Sequence, residues 1–329
     1  MSKVVVFNQT GNADVLELQD VTVPAPSADE VQIAVHAIGI NRAEIMYRTG
    51  QYVIEPQFPA RLGYEAAGVV KTVGANVTEF SPGDRVSVIP AFSFSDYGMY
   101  GEVVNAPAHA VVKHPENLSF EQAAASWMMY VTAFGALVEY GEVKQGDYVL
   151  INAASSSVGL AAIQIARMRG AIPVAMTRTS DKRALLLEAG AAAVVASQEQ
   201  NVADEINRIT EGKGLQIVFD PVGGPGVGEI AKVMSDGAMF FQYGALDSRD
   251  LSVPVFAILG KHLTFRGYEL FEITTHTDKM ARAKAFVSDG LRTGALKPLI
   301  DKTFTLEQIA DAQRYMESNG QVGKIVVTV

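Results

Sequence analysis

The chain has 329 residues, 48% of them hydrophobic and 19% charged, with a formal net charge of −9 and no cysteine. This length suits two domains of an ordinary globular enzyme, and the acidic balance argues against a nucleic-acid backbone or an anionic membrane as the main partner. The missing thiols exclude disulfides, thiolate nucleophiles, iron–sulfur clusters and any zinc site built on cysteine.

The N-terminal SKVVVFNQ reads as a first strand and not as a signal peptide, and no apolar run approaches the roughly 18 residues that span a bilayer; a cytoplasmic protein is expected. Short alternating segments punctuated by Gly and Pro then continue to about residue 122, among them Val31 to Ala37, Ala66 to Val73, Arg85 to Ile89 and Ala110 to Lys113. With turns such as Ser81-Pro82-Gly83-Asp84, this spacing predicts a partly closed, β-barrel-like domain. From Ala123 the period changes. Tyr148 to Ala153 is an apolar strand, Ser155 to Ser157 a turn of small residues, and Val158 to Arg169 a long helix. Further strands fall at Ile172 to Met176, Ala192 to Ala196, Leu215 to Asp220, Ala238 to Gln242 and His262 to Arg266, with helices such as Lys182 to Glu188 and Val202 to Thr210 between them. Six strands in β–α alternation predict a doubly wound parallel sheet, an α/β fold. The tail reads as helices Asp278 to Ser288 and Leu306 to Ser318 and a strand Lys324 to Val329, which must fold back onto the first domain because a lone strand needs a sheet. The expected domains are 1–122 with 269–329, and 123–268.

A helix that begins straight after a buried strand aims free N–H groups and the positive end of its dipole at whatever lies above the turn, and a phosphate suits that place. Ser156, Ser157, Val158 and Gly159 form this turn, with serines at two positions where a dinucleotide-binding loop usually carries glycine. In such a fold the end of the second strand faces the adenosine ribose. Here it reads Met176-Thr177-Arg178-Thr179-Ser180-Asp181-Lys182. Arg178 can bond a 2′-phosphate, with the hydroxyls of Thr177 and Thr179 beside it, which predicts NADPH. Asp181 falls in the first turn of the next helix, where a carboxylate complements the dipole.

Six motifs in this order carry a resemblance over nearly the whole chain. They are Gly39-Ile40-Asn41-Arg42-Ala43-Glu44, Leu62-Gly63-Tyr64-Glu65-Ala66-Ala67-Gly68-Val69-Val70, Pro82-Gly83-Asp84-Arg85-Val86, Ser119-Phe120-Glu121-Gln122-Ala123-Ala124-Ala125, Phe219-Asp220-Pro221-Val222-Gly223 and Gly323-Lys324-Ile325-Val326. The chain resembles the medium-chain dehydrogenase/reductase superfamily, in its zinc-free quinone oxidoreductase branch. The resemblance implies an N-terminal GroES-like β-barrel catalytic domain and a Rossmann domain with a six-stranded parallel sheet. It also implies a cofactor set in which Lys182 meets the 2′-phosphate, while Met128, Thr132, Val222, Gly223, Tyr243, Gly244 and Lys324 lie along the rest of the dinucleotide. The zinc-dependent branch holds its metal on a Cys, a His and a second Cys; the matching positions are Asn41, Tyr64 and Met128, which are no competent trio for Zn²⁺. Ala43 replaces the proton-relaying Ser or Thr of that branch.

Hydride reduction of a carbonyl needs its developing negative charge stabilised and a proton delivered. Asn41, Tyr47, Tyr52 and Tyr64 match the family's substrate cleft. Asn41 either offers its amide to the substrate oxygen or bonds its own backbone in a turn; the tyrosines, with an ordinary pKa of about 10, either donate a proton or wall the pocket. Glu65 is expected to pair with a cation or a backbone group. Trp127, Met128, Met129, Tyr130, Phe92, Phe94 and Tyr97 suggest an aromatic mouth for a flat conjugated substrate, or simply core. No histidine spacing suits a metal, and no Gly-x-Ser-x-Gly elbow is present. The expected protein is an NADPH-dependent reductase that passes a hydride to a quinone or an α,β-unsaturated carbonyl compound without a metal. The alternatives are an enoyl or alkenal reductase with a narrow substrate, and a crystallin-like or regulatory protein that binds NADPH without turning it over. The resemblance also implies a homodimer, by edge pairing around Leu263 to Tyr268.

Overall fold

In the computed structural model, which describes residues 1–329, the longest strand of the first half is Glu30–Gly39. Val31, Ile33 and Val35 are buried on alternate positions, and then Ala37, Ile38 and Gly39 are buried in succession as the strand runs under cover on both faces. Around it forms a seven-stranded sheet in the order Ile300–Thr305, Lys324–Thr328, Glu30–Gly39, Glu65–Val73, Arg85–Val88, Val111–Lys113, with Val103–Pro107 also paired to Glu30–Gly39. A second sheet of three strands sets Ser2–Phe7 between Glu17–Val21 and Ala60–Arg61. The tail strand does find its sheet: Val326 stands opposite Gly39 and Thr328 opposite Ala37, antiparallel. Its neighbour Ile300–Thr305, parallel to it, is not in the sequence reading. The reason is its edge position, where IDKTFT buries only Phe304 and so carries no alternation.

The six later strands are Tyr148–Ile151, Ile172–Thr177, Ala193–Ala196, Leu215–Asp220, Met234–Gln242 and Thr264–Gly267. All pairings between them are parallel. Numbered in chain order, they lie as 3-2-1-4-5-6, which is the doubly wound order with its switch point between the first and fourth strands. Leu150, Val174, Val195, Val218 and Phe240 from five strands meet Ile206 and Ile230 from the helices Val202–Thr210 and Val227–Lys232 in one apolar core.

Backbone proximity divides the chain into two units, Met1–Met129 with Met280–Val329, and Tyr130–Lys279. The sequence reading puts the seams at 122/123 and 268/269. No helix is long and apolar enough to cross a membrane.

Candidate functional site

In the discontinuous unit the chain leaves Glu30–Gly39 and enters the helix Arg42–Arg48 through Asn41. The Ile40 N–H donates to the Ile325 carbonyl at 3.0 Å, so the tail strand lies directly beside this entry. That proximity brings Lys324 to Asn41: the ammonium donates to Asn41 Oδ1 at 2.6 Å and to Glu65 Oε1, and both side chains of the ion pair are fully buried. The other Glu65 oxygen accepts from the Met128 N–H at 2.9 Å. Gly39 makes room for this pair, since a Cβ there would stand 2.7 Å from Glu65 Oε1 and 2.3 Å from the Ala124 carbonyl.

Glu44, one turn into the helix, closes the cluster. Its carboxylate accepts the N–H of Asn41 at 2.7 Å, the N–H of Tyr64 at 3.1 Å, the amide of Asn41 at 3.2 Å and the Tyr100 hydroxyl. Burial nonetheless outweighs these donors and the nearby Lys324 charge, and pushes the carboxyl up to about 7. The Tyr100 hydroxyl is held well above its ordinary range by burial and by that same carboxylate. The three positions that match the ligands of zinc-dependent relatives, Asn41, Tyr64 and Met128, are thus all bonded to Glu44, Glu65 or Lys324. No three His, Cys, Asp or Glu side chains come together as a group that could hold a metal ion.

Several sequence expectations change here. Asn41 spends both amide hydrogens inside the protein, on Glu44 and on the Gly39 carbonyl at 3.2 Å, so it is not an open donor for a substrate oxygen. Lys324 is sealed at 1% exposure and cannot meet a dinucleotide in this conformation. Trp127 is fully buried with its indole N–H unpaired, and Met129 and Tyr130 are buried as well, so they are core and not a mouth. The tyrosines of the expected cleft do come together. Tyr64 stacks on Phe94 with ring centroids 3.7 Å apart, Tyr47 stacks on the same ring at 4.6 Å, and the Tyr52 and Tyr64 hydroxyls lie 3.3 Å apart. Tyr47 and Tyr64 are buried, whereas Tyr52 is half-buried. Burial raises the Tyr47 hydroxyl above its ordinary value.

In the unit Tyr130–Lys279 the helix Ser157–Met168 starts from Ser156, whose hydroxyl accepts the Gly159 N–H at 3.1 Å. Serine here is an N-cap, which explains how the turn forms without the usual glycine. Gly159 itself is irreplaceable on space, because a Cβ would stand 2.6 Å from the Ala154 carbonyl. The N–H groups of Ser157 and Val158 open the helix and have no acceptor within it. Beyond the second strand, Arg178 is exposed, and Lys182 reaches back to the Ser155 hydroxyl at 3.4 Å. Thr177 donates its hydroxyl to the Thr179 carbonyl at 2.8 Å, and Thr179 donates its own to Asp181 at 2.9 Å.

Asp220, at the end of the fourth strand, lies within one of the six motifs but has no role assigned by them. One carboxylate oxygen accepts from Val222 N–H at 2.6 Å and from the Asn152 amide at 3.1 Å, tying the turns after the first and fourth strands. Its other oxygen is buried without a hydrogen bond, as is the hydroxyl of Tyr243, whose ring stacks on Phe219 at 3.9 Å. Burial raises both groups above their ordinary values, Tyr243 further through the Asp220 charge. Gly223 and Gly244 lie in the same turns, and Gln242 donates to the Gly244 carbonyl at 2.6 Å. Thr132 is buried at the start of this unit. Glu44 had a legible signal: Asn41-Arg42-Ala43-Glu44 has the spacing of a capping box, in which the third helical residue bonds back to the cap.

Two family models match the chain: the alcohol dehydrogenase GroES-like domain over residues 27–116 and the zinc-binding dehydrogenase over residues 157–285. Homo sapiens quinone oxidoreductase is 33% identical over 329 residues, covering 99% of this chain and 97% of that protein. Among solved structures, Escherichia coli quinone oxidoreductase complexed with NADPH matches with a TM-score of 0.90 at 27% identity, over 99% of this chain and 100% of the other. CurK enoyl reductase matches with a TM-score of 0.89 at 25% identity, over 99% of each chain.

Proposed function

The chain belongs to the quinone-oxidoreductase-like branch of the medium-chain dehydrogenase/reductase superfamily, and from that membership we propose that it is an NADPH-dependent reductase of quinones or α,β-unsaturated carbonyl compounds, acting without a bound metal. The donor set fits this cofactor. The N–H groups of Ser157 and Val158 suit a diphosphate, and the side chains of Arg178 and Lys182 suit a 2′-phosphate, whereas the hydroxyls of Thr177 and Thr179 are already spent within the turn. The unpaired Asp220 oxygen and Tyr243 hydroxyl are acceptor and donor for the remainder. NADPH, when bound, supplies the hydride.

The chain's own residues do the rest. Gly159 and Ser156 fix the turn that receives the diphosphate; Val222, Gly223, Tyr243 and Gly244 shape the turns beside it. Tyr52 is the half-exposed member of the Tyr52–Tyr64 hydroxyl pair and so the group that can present an O–H to a substrate oxygen. Phe94 and Tyr47 hold it in place by edge-on ring contacts, and Tyr64 meets it at the hydroxyl. The observation that carries the metal-free reading is the Lys324–Glu65 pair: a buried ammonium already neutralises the carboxylate that accepts the Met128 N–H, and it donates to Asn41 Oδ1 as well.

NADPH oxidation assayed against a panel of quinones and a panel of enones tests this reading, with turnover of one panel expected. The match to an enoyl reductase favours a second reading, a narrow enoyl reductase; turnover of enoyl substrates with no quinone activity would select it. Tight NADPH binding with no acceptor consumed would make the protein a non-catalytic binder. A cytoplasmic location and a homodimer belong to the same proposal. The dimer would pair the strand Thr264–Gly267, which ends the six-stranded sheet, with its copy, and a monomer mass by light scattering would remove it.

A further inference from the structure

The turn after the second strand of the unit Tyr130–Lys279 holds more negative charge than a phosphate subsite needs. Ser180 donates its N–H to Glu199 Oε1 at 2.9 Å, and its hydroxyl bonds the same carboxylate. Glu199 comes from the turn after the third strand, Ala193–Ala196. The two turns are laced together one residue earlier, where the Gln198 N–H donates to the Arg178 carbonyl at 2.9 Å. The Arg178 guanidinium, two residues before Ser180, meanwhile makes no ion pair, and Glu199 is bonded to the neutral amide and hydroxyl of Ser180, with Arg183 the cation whose charge acts on it. Thr179 completes the pattern, its hydroxyl taken by Asp181. Of the polar groups around Arg178 and Lys182, three donors are held by carboxylates of the chain itself.

We propose that Glu199 is a specificity-determining residue: its carboxylate occupies the anion position on Ser180, competes with the 2′-phosphate of the dinucleotide, and so narrows the preference for NADPH over NADH. The proposal rests on the cofactor reading above. A phosphate with nearly two negative charges cannot share Ser180 with a carboxylate, so its entry displaces Glu199 into solvent and breaks two hydrogen bonds. An unphosphorylated ribose has no such competitor to move. The Ser180 bonds also hold the Glu199 carboxyl below its ordinary range, which keeps the competitor ionised at neutral pH.

Calorimetric titration of the full chain with adenosine 2′,5′-bisphosphate and with 5′-AMP, for the wild type and for Glu199→Gln, tests this without turnover. The variant is expected to bind the bisphosphate roughly 3- to 10-fold more tightly, the worth of one exposed charge contact, with 5′-AMP unchanged within about 2-fold. A role limited to bracing the turn would move both ligands together and would overturn the proposal, as would unchanged or weaker bisphosphate binding in the variant. A wild type that prefers 5′-AMP or binds neither ligand removes the NADPH reading and this proposal with it. A wild type that prefers the bisphosphate, with no change in the variant, removes Glu199 alone.

Discussion

Lys324 and Arg178 are both cations that the sequence alone assigns to the dinucleotide, and the two units treat them in opposite ways. Lys324 is sealed in the discontinuous unit, bonded to Asn41 and Glu65, in a cluster where Glu44 and Tyr100 are buried too. Arg178 stands exposed at a strand end among threonine hydroxyls and carboxylates. A buried charge is costly unless every partner is present, so the first site is a fixed piece of architecture. An exposed charge costs little and commits to nothing, so the second is free to meet a ligand.

Removing the sealed cation is the hardest test of this contrast. Lys324→Met leaves the Glu65 carboxylate buried and unneutralised, and should lower unfolding stability by about 3–5 kcal/mol in urea denaturation; a loss below about 1 kcal/mol would mean the cluster is not the fixed element described. Glu44→Gln probes the same cluster through pH. The Glu44 carboxyl is raised from 4.5 to about 7 in the folded chain, so its contribution is fully present below the unfolded value and is lost as pH rises through 7. The stability of wild type minus variant should therefore fall by about 1–3 kcal/mol between pH 4.5 and pH 7; a flat difference would mean that Glu44 titrates normally. In the open unit, Gly159→Ala forces a Cβ to 2.6 Å from the Ala154 carbonyl, a backbone atom that cannot step aside cheaply. The expected cost is about 1–3 kcal/mol, with weaker NADPH binding alongside; a variant as stable as wild type would show that the turn relaxes freely. Arg178→Ala sits at the other extreme. It should change stability by less than about 0.5 kcal/mol yet weaken NADPH binding roughly 10-fold, the worth of a charge-assisted bond, while leaving NADH alone. Equal losses for both dinucleotides would take Arg178 out of the phosphate subsite.

The six parallel strands were legible because most carry a short apolar run and they alternate with helices, and five of them meet in one core. Ile300–Thr305 was not, since an edge strand that buries one side chain carries no pattern. At the site, residue types pointed to Asn41, Tyr64 and Glu65, but their partners did not follow from them. Asn41 and Lys324 are separated by 283 positions, and no local periodicity links them. Asn41 reads as an open amide in sequence and becomes a spent one only because Glu44 and Gly39 are at hand. Trp127 is the converse case: an aromatic beside two methionines suits a ligand mouth or a core equally, and packing decides for the core.

The placement of Lys324 on a strand beside Glu30–Gly39 also fixes an order of events on the ribosome. Residues 130–279 form an unbroken stretch with its own parallel sheet and core, and they emerge and can consolidate while the discontinuous unit is still waiting. Glu65, synthesised long before, has no ammonium to meet until residues 324–328 follow. The sheet begun by Glu30–Gly39 is thus completed by a strand made much later, and a nascent chain stalled between these points would hold the Glu65 carboxylate without its ammonium in a sheet that lacks a strand.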